Sequence, residues 1–211
     1  MRTRSCAGLV AAWLLFANLA AAGEPKLASA NELFVLTKVN EFHIELSAVD
    51  WDKMQPTGGM RGPGFAPAPQ PPADDKNADV HRNGGGFGMT FPWVHAQFTA
   101  FGHTYKDVGL RFKGNASYMA SSRGVKRNFK VDFNHYDEEQ NFLGLKSINL
   151  NAGAMDPTKA HEALSYAVFR AAGVPAPRTA FAQVTLTIAG KYDRELLGTY
   201  TLVEQVSKAF L

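Results

Sequence analysis

The chain of 211 residues is 45% hydrophobic and carries 22 basic against 19 acidic side chains, a formal net charge of +3. That balance argues for no particular charged partner, and it leaves enough apolar material for one domain with its own core. The single cysteine, Cys6, excludes an internal disulfide and a cysteine-ligated metal centre.

Arg2 and Arg4 precede an apolar run at residues 7–19 (AGLVAAWLLFANL), after which come the small residues Ala20, Ala21 and Ala22. This pattern predicts a secretory signal peptide over residues 1–22, cut near Ala22. The run falls short of the roughly 20 residues that span a bilayer. A secreted or extracytoplasmic product with no transmembrane segment after cleavage is therefore expected.

Phe42, Ile44 and Leu46 alternate within residues 42–51 (FHIELSAVDW), which predicts a half-buried strand. Between residues 55 and 90 the chain turns to Gly, Pro, Ala and Asp, a composition unable to offset its ordering entropy, so a disordered insertion is expected. Gly84, Gly85 and Gly86 read as linker, because no strand precedes them and Pro92 interrupts the segment after them. Val94, Ala96 and Phe98, a turn near Gly102, then Val108, Leu110 and Phe112 predict a hairpin. Phe129, Val131 and Phe133 predict a further strand, with Lys130 and Asp132 on its other face. Asp156 and Pro157 are read as a helix start. The predicted helix has a stripe of Ala160, Leu164, Ala167, Val168 and Ala171, opposes it with Lys159, Glu162, Tyr166 and Arg170, and ends at Gly173. Two strands, over residues 180–188 and 196–206, complete the chain.

Charge is concentrated in residues 109–133 (GLRFKGNASYMASSRGVKRNFKVDF), where Arg111, Lys113, Arg123, Lys126, Arg127 and Lys130 meet no acid before Asp132. One reading is a solvated strand face whose long stems cover apolar surface. Another is a cradle for phosphates, which need cations and donors. Nucleic acid is a third, disfavoured by the export pattern and the balanced charge. The six histidines show no metal-ligand spacing, and no Ser-His-Asp arrangement is legible.

Five phrases in order, LRFKGNAS, KRNFKVDF, GLKSINLNA, HEALSYAVFRAAGVPAPRTAFAQV and LLGTYTLVEQVSKAFL, give the chain its resemblance. Together they resemble the spore coat protein H (CotH) kinase family. The resemblance implies an α+β fold, an atypical protein-kinase-like N-lobe with an antiparallel sheet and one main helix, over residues 31–211. It implies ATP with Mg²⁺ as cofactor, phosphorylation of Ser hydroxyls, and an exported or coat protein as substrate. Arg111, Lys113, Lys126, Arg127 and Lys130 would then contact phosphates, Glu162 would orient one of these cations, and Glu204 would help position the base. Family members continue past LVEQV into a helical lobe with a catalytic Asp and a metal-binding Asp. These 211 residues hold no counterpart of either, so no catalytic or metal residue is assigned, and an inactive amino-terminal fragment is expected. The alternative is a non-catalytic secreted coat or surface-binding module that docks through the basic face. Oligomeric state is not legible.

Overall fold

The computed structural model describes residues 29–58, 80–82, 89–121 and 124–206. The expected signal peptide and most of the expected insertion lie outside the described residues.

Alternation is the dominant local signal, and it builds β1 (Val39–Leu46), β5 (Val94–Ala100), β6 (His103–Phe112), β7 (Phe129–Asp132), β8 (Ser147–Asn151), β9 (Thr179–Ile188) and β10 (Tyr192–Glu204). These close into a seven-stranded barrel in the order β1-β5-β6-β7-β8-β10-β9. Neighbours run antiparallel except at the closing seam, where β1 lies parallel to β9 from Val39↔Phe181 to Leu46↔Ile188. Buried Asn40 holds the start of that seam, its Nδ2 donating to Phe181 O at 3.2 Å and, at the end of the short helix α1 (Ala30–Leu33), to Leu33 O at 3.3 Å. Short β2 (Thr57–Gly58), β3 (Val80–Arg82) and β4 (Met89–Pro92) form a separate sheet, so the described flanks of the Gly/Pro-rich stretch are ordered.

This architecture corrects the expected fold class. Strand dominates the described residues, and the sheet is a closed barrel, not the α+β kinase N-lobe with one main helix. The local strand readings were sound except at the end of residues 42–51. Which strands close on each other is a long-range choice that alternation does not encode.

Inward side chains fill the barrel. Phe98 sits at 5.0 Å from Phe42, 5.3 Å from Phe133 and 5.6 Å from Phe142, ring centre to ring centre, in the edge and tilted arrangements that aromatic quadrupoles favour. A second aromatic group joins Phe112 to Trp51, Tyr118 and Phe129. Trp51 belongs to α2 (Ala48–Lys53), which occupies the end of the segment read as one strand. Ser47 caps this helix, its Oγ accepting from Asp50 N at 3.0 Å, and that local bond outweighs the strand pattern. The Phe101-Gly102 turn joins β5 to β6, both residues having positive φ (51° and 71°).

The start of the main helix and its buried face differ from the sequence expectation. The loop after β6 contains α3 (Ala116–Ala120), and the main helix, α4 (His161–Ala171), begins later than the Asp156-Pro157 pair. Asp156 instead organises the turn before it, accepting from Thr158 N, Thr158 Oγ1 and His161 N. The helix is also rotated relative to its predicted stripe. Ala163 is its buried residue, whereas Leu164, Val168 and Phe169 are 58%, 65% and 50% exposed. Its polar residues find partners instead: Glu162 bonds Asn151 on β8, and Arg170 donates to Pro177 O in the segment before β9.

Phe98 packs with no exposed surface inside the ring of aromatics. Phe98→Ala is expected to destabilise the fold by about 3–5 kcal/mol, through lost burial and the cavity left behind. Urea unfolding monitored by tryptophan fluorescence checks this.

Candidate functional site: a buried lysine in an amide cradle

Strand alternation puts Phe112, Phe129 and Leu150 inside the barrel and their neighbours Arg111, Lys130 and Asn149 outside. Register then aligns these outward residues, with Arg111 opposite Lys130 and Lys130 opposite Asn149. Lys113 comes just after β6 on the same face, its backbone N–H donating to Asn128 O at 3.1 Å.

Lys113 reaches over β8. Its Nζ donates to Asn149 Oδ1 and to Asn151 Oδ1, each at 3.1 Å. Both amides are anchored at their other end. Asn149 Nδ2 donates to Gln205 Oε1 at 3.1 Å and Val203 O at 3.4 Å, while Asn151 Nδ2 donates to both Glu162 oxygens at 2.8 and 3.0 Å. Burial pushes the Lys113 amine down to about 8; Glu162 pulls the other way, and Arg111 and Lys130 add to the lowering. The lysine faces an open cavity of about 690 Å³, bounded also by Ser117, Asn128, Asp156, His161 and Glu162.

The turn beneath Lys113 is fixed by Gly114, whose φ is +81° and whose missing Cβ would sit 2.3 Å from Ser117 Oγ. Ser117 Oγ accepts from Asn128 Nδ2 at 2.9 Å, and Asn128 Oδ1 accepts from Ala152 N at 2.7 Å. One hydroxyl and one amide thus tie the β6–β7 connection to the end of β8.

The sequence-predicted residues divide into two groups. Lys113 and Glu162 line the cavity together, joined by Asn151; Glu162 does not use Lys159, whose amine goes to Gly153 O. Arg111 and Lys130 flank Lys113 on the same face. Arg111 is 5% exposed, lies 4.8 Å from the Trp93 ring centre, and is pushed by burial down to about 10, against Asp132, which leaves it charged at neutral pH. Burial and Arg111 likewise lower Lys130.

The other three point elsewhere. Lys126 donates to Thr199 O at 2.7 Å over the Tyr200 ring, and Arg127 lies 4.7 Å from the Tyr118 ring centre. Glu204 forms a fork with Arg178, accepting from Nε at 2.9 Å and also from the second guanidinium nitrogen and the backbone N–H. Burial alone would raise the Glu204 carboxyl, but Arg178 outweighs it and holds it below the usual carboxylate range.

Sequence reasoning missed Asn128, Asn149, Asn151 and Gln205. A signal for two of them exists in SINLN at residues 147–151, where amides alternate with Ile148 and Leu150 on a strand otherwise built for burial.

The CotH kinase protein family model matches residues 110–211, from the last residues of β6 through the cradle, α4 and the last hairpin. The match covers just under half of the chain. The resemblance carried by the five phrases agrees with this match, and the matched region carries Lys113, both amides and Glu162. No curated protein matches the chain.

Two outcomes test this geometry. An unfolded lysine titrates near 10.5 and Lys113 near 8, so between those values the unfolded chain holds more protons and stability rises with pH. The cost of burying the charged amine is full below about pH 8 and is relieved toward pH 10.5. Relative to Lys113→Met, the native chain is expected to gain on the order of a few kcal/mol across that window, measured by urea unfolding at each pH. Gly114→Ala is expected to cost about 2 kcal/mol through its positive φ and the displaced Ser117, seen as a lowered urea midpoint.

Proposed function

We propose that the cavity beside Lys113 receives the phosphate groups of a nucleotide, ATP with Mg²⁺, within a CotH-type protein that phosphorylates Ser hydroxyls of exported or coat proteins. The observation that carries this reading is the way Lys113 is held. Its two partners are amide oxygens, so no carboxylate in contact neutralises it, and it stands at the edge of a cavity large enough for a polyphosphate. The family match over residues 110–211 supports the same direction.

The donor set fits the phosphate part of the ligand. Lys113 would contact it directly, and Arg111 and Lys130 would add positive field from the same strand face. Lys126, Arg127 and Glu204, engaged with Thr199, Tyr118 and Arg178, would maintain the frame. Among the described residues no cluster of three or more His, Cys, Asp or Glu could hold a metal, so Mg²⁺ would arrive with the nucleotide. When bound, ATP would supply the transferable phosphoryl group. This chain's own residues would bind and orient its phosphates, and no residue of the chain is assigned to catalysis.

Export rests on reading residues 1–22 as a signal peptide, and the expected substrate is an exported protein with exposed Ser residues. Among the described residues no helix is long and apolar enough to cross a membrane.

Calorimetric titration of the full chain with Mg·ATP tests the proposal. Saturable binding is expected, with Lys113→Met weakening it about tenfold or more and the remote Lys191→Ala leaving it unchanged. Salt-sensitive binding to many polyanions without preference for ATP would replace this reading with docking through the basic face.

A further inference from the structure

Kinase-like sites are usually pictured with a carboxylate pressed against the phosphate-binding lysine, and Glu162 is the candidate for that role. The structure arranges these groups differently. Glu162 and Lys113 are linked through the side chain of Asn151, which uses its NH₂ toward the carboxylate and its carbonyl oxygen toward the amine.

The chemistry of the three groups fixes this direction. A carboxylate can only accept hydrogen bonds and an ammonium can only donate them. An amide placed between the two has one favourable orientation, because a half-turn would set oxygen against oxygen and N–H against N–H. Glu162 holds the Asn151 NH₂ with both of its oxygens and thereby turns the carbonyl oxygen onto Lys113. Asn149 repeats the device from the next outward position on β8, its NH₂ held by Gln205 and Val203 O. The lysine is clamped from two sides by neutral oxygens.

We propose that Asn151 is the positioning residue of the cavity. It transmits the orientation of Glu162 to Lys113 while keeping the carboxylate off the amine, so that the lysine meets an anion already aligned and not neutralised by contact. This rests on the phosphate-binding reading of the cavity, which it deepens. The charged and titratable groups around Lys113 are Glu162 on α4, Arg111 on β6, Lys130 on β7, and Asp156 and His161 at the rim of the cavity. Glu162 also acts on Lys113 through space, so a test must separate its charge from its role as acceptor.

Glu162→Gln and Glu162→Leu both remove the charge, but only Gln keeps an oxygen for the Asn151 NH₂. Tripolyphosphate affinity of the full chain is measured for both variants, in the native background and with Asn151→Ala. In the native background Leu is expected to bind about tenfold more weakly than Gln, and with Asn151→Ala the two are expected to agree within about twofold. A Leu–Gln difference that persists without Asn151, or that is absent with it, overturns the proposal. Asn151→Val, which can neither donate nor accept through its side chain, supplies a second background in case the alanine variant unfolds.

A second readout needs no anion. The pH profile of Lys113 acetylation by acetic anhydride, read by mass spectrometry, should have its midpoint near 8 in the native chain. Asn151→Asp should move it upward by about one unit or more by placing a carboxylate on the amine, and by more than Asn151→Ala, which relieves burial without adding a charge. An unmoved midpoint sinks the proposal. Absence of tripolyphosphate binding to the native chain, with the midpoint moving as expected, would instead sink the phosphate-binding reading and leave the positioning role intact.

Discussion

A closed barrel has an interior only for side chains, and this constraint orders everything outside it. Each strand must give one face to the core, so its remaining residues stand outward and need partners there. Along β6, β7 and β8 those residues are Arg111, Lys130, Asn149 and Asn151, brought side by side by register. The polar cluster is thus the outer half of the pattern that buries Phe112, Phe129 and Leu150. Changing the core register by one residue would turn the cradle inward and lose both.

The cradle shows how a buried cation is kept without a contact ion pair. Amide oxygens satisfy the amine at modest electrostatic cost, while Arg111 and Lys130 raise the local positive field. Arg178 and Glu204 show the opposite arrangement within the same sheet. There a guanidinium and a carboxylate form a fork that neutralises both, as suits a joint that holds β10 to the segment before β9. One pair closes on itself, and the other lysine stays open to a cavity.

Much of this was legible in the sequence. The β5–β6 hairpin, the β7 alternation and the β9–β10 pair come from period-two patterns, and the resemblance carried by the ordered phrases agrees with the family match. Closure was not legible, because parallel pairing of β1 with β9 leaves no local trace. The orientation of α4 was misread because amphipathic pattern assumes that apolar residues face inward, whereas Glu162 and Arg170 find specific partners on β8 and on the segment before β9. Charge drew attention to all five basic candidates equally. Only tertiary placement separates Lys113, at a cavity, from Lys126 and Arg127, spent on Thr199 and Tyr118. The asparagines escaped notice because a neutral amide has no conspicuous signature until its neighbours are known.

The seam between β1 and β9 bears on how the molecule is made. Asn40 and Phe181, bonded across it, are separated by 141 residues of chain. During synthesis β1 emerges early and carries an unpaired edge until β9 has left the ribosome. The intervening hairpins can form locally, but the last closure is among the most non-local contacts the chain makes, and such contacts slow folding because their loop entropy must be met first. An open, curved sheet with one bare edge is then the natural late intermediate, and its vulnerability lies in mispairing of that edge.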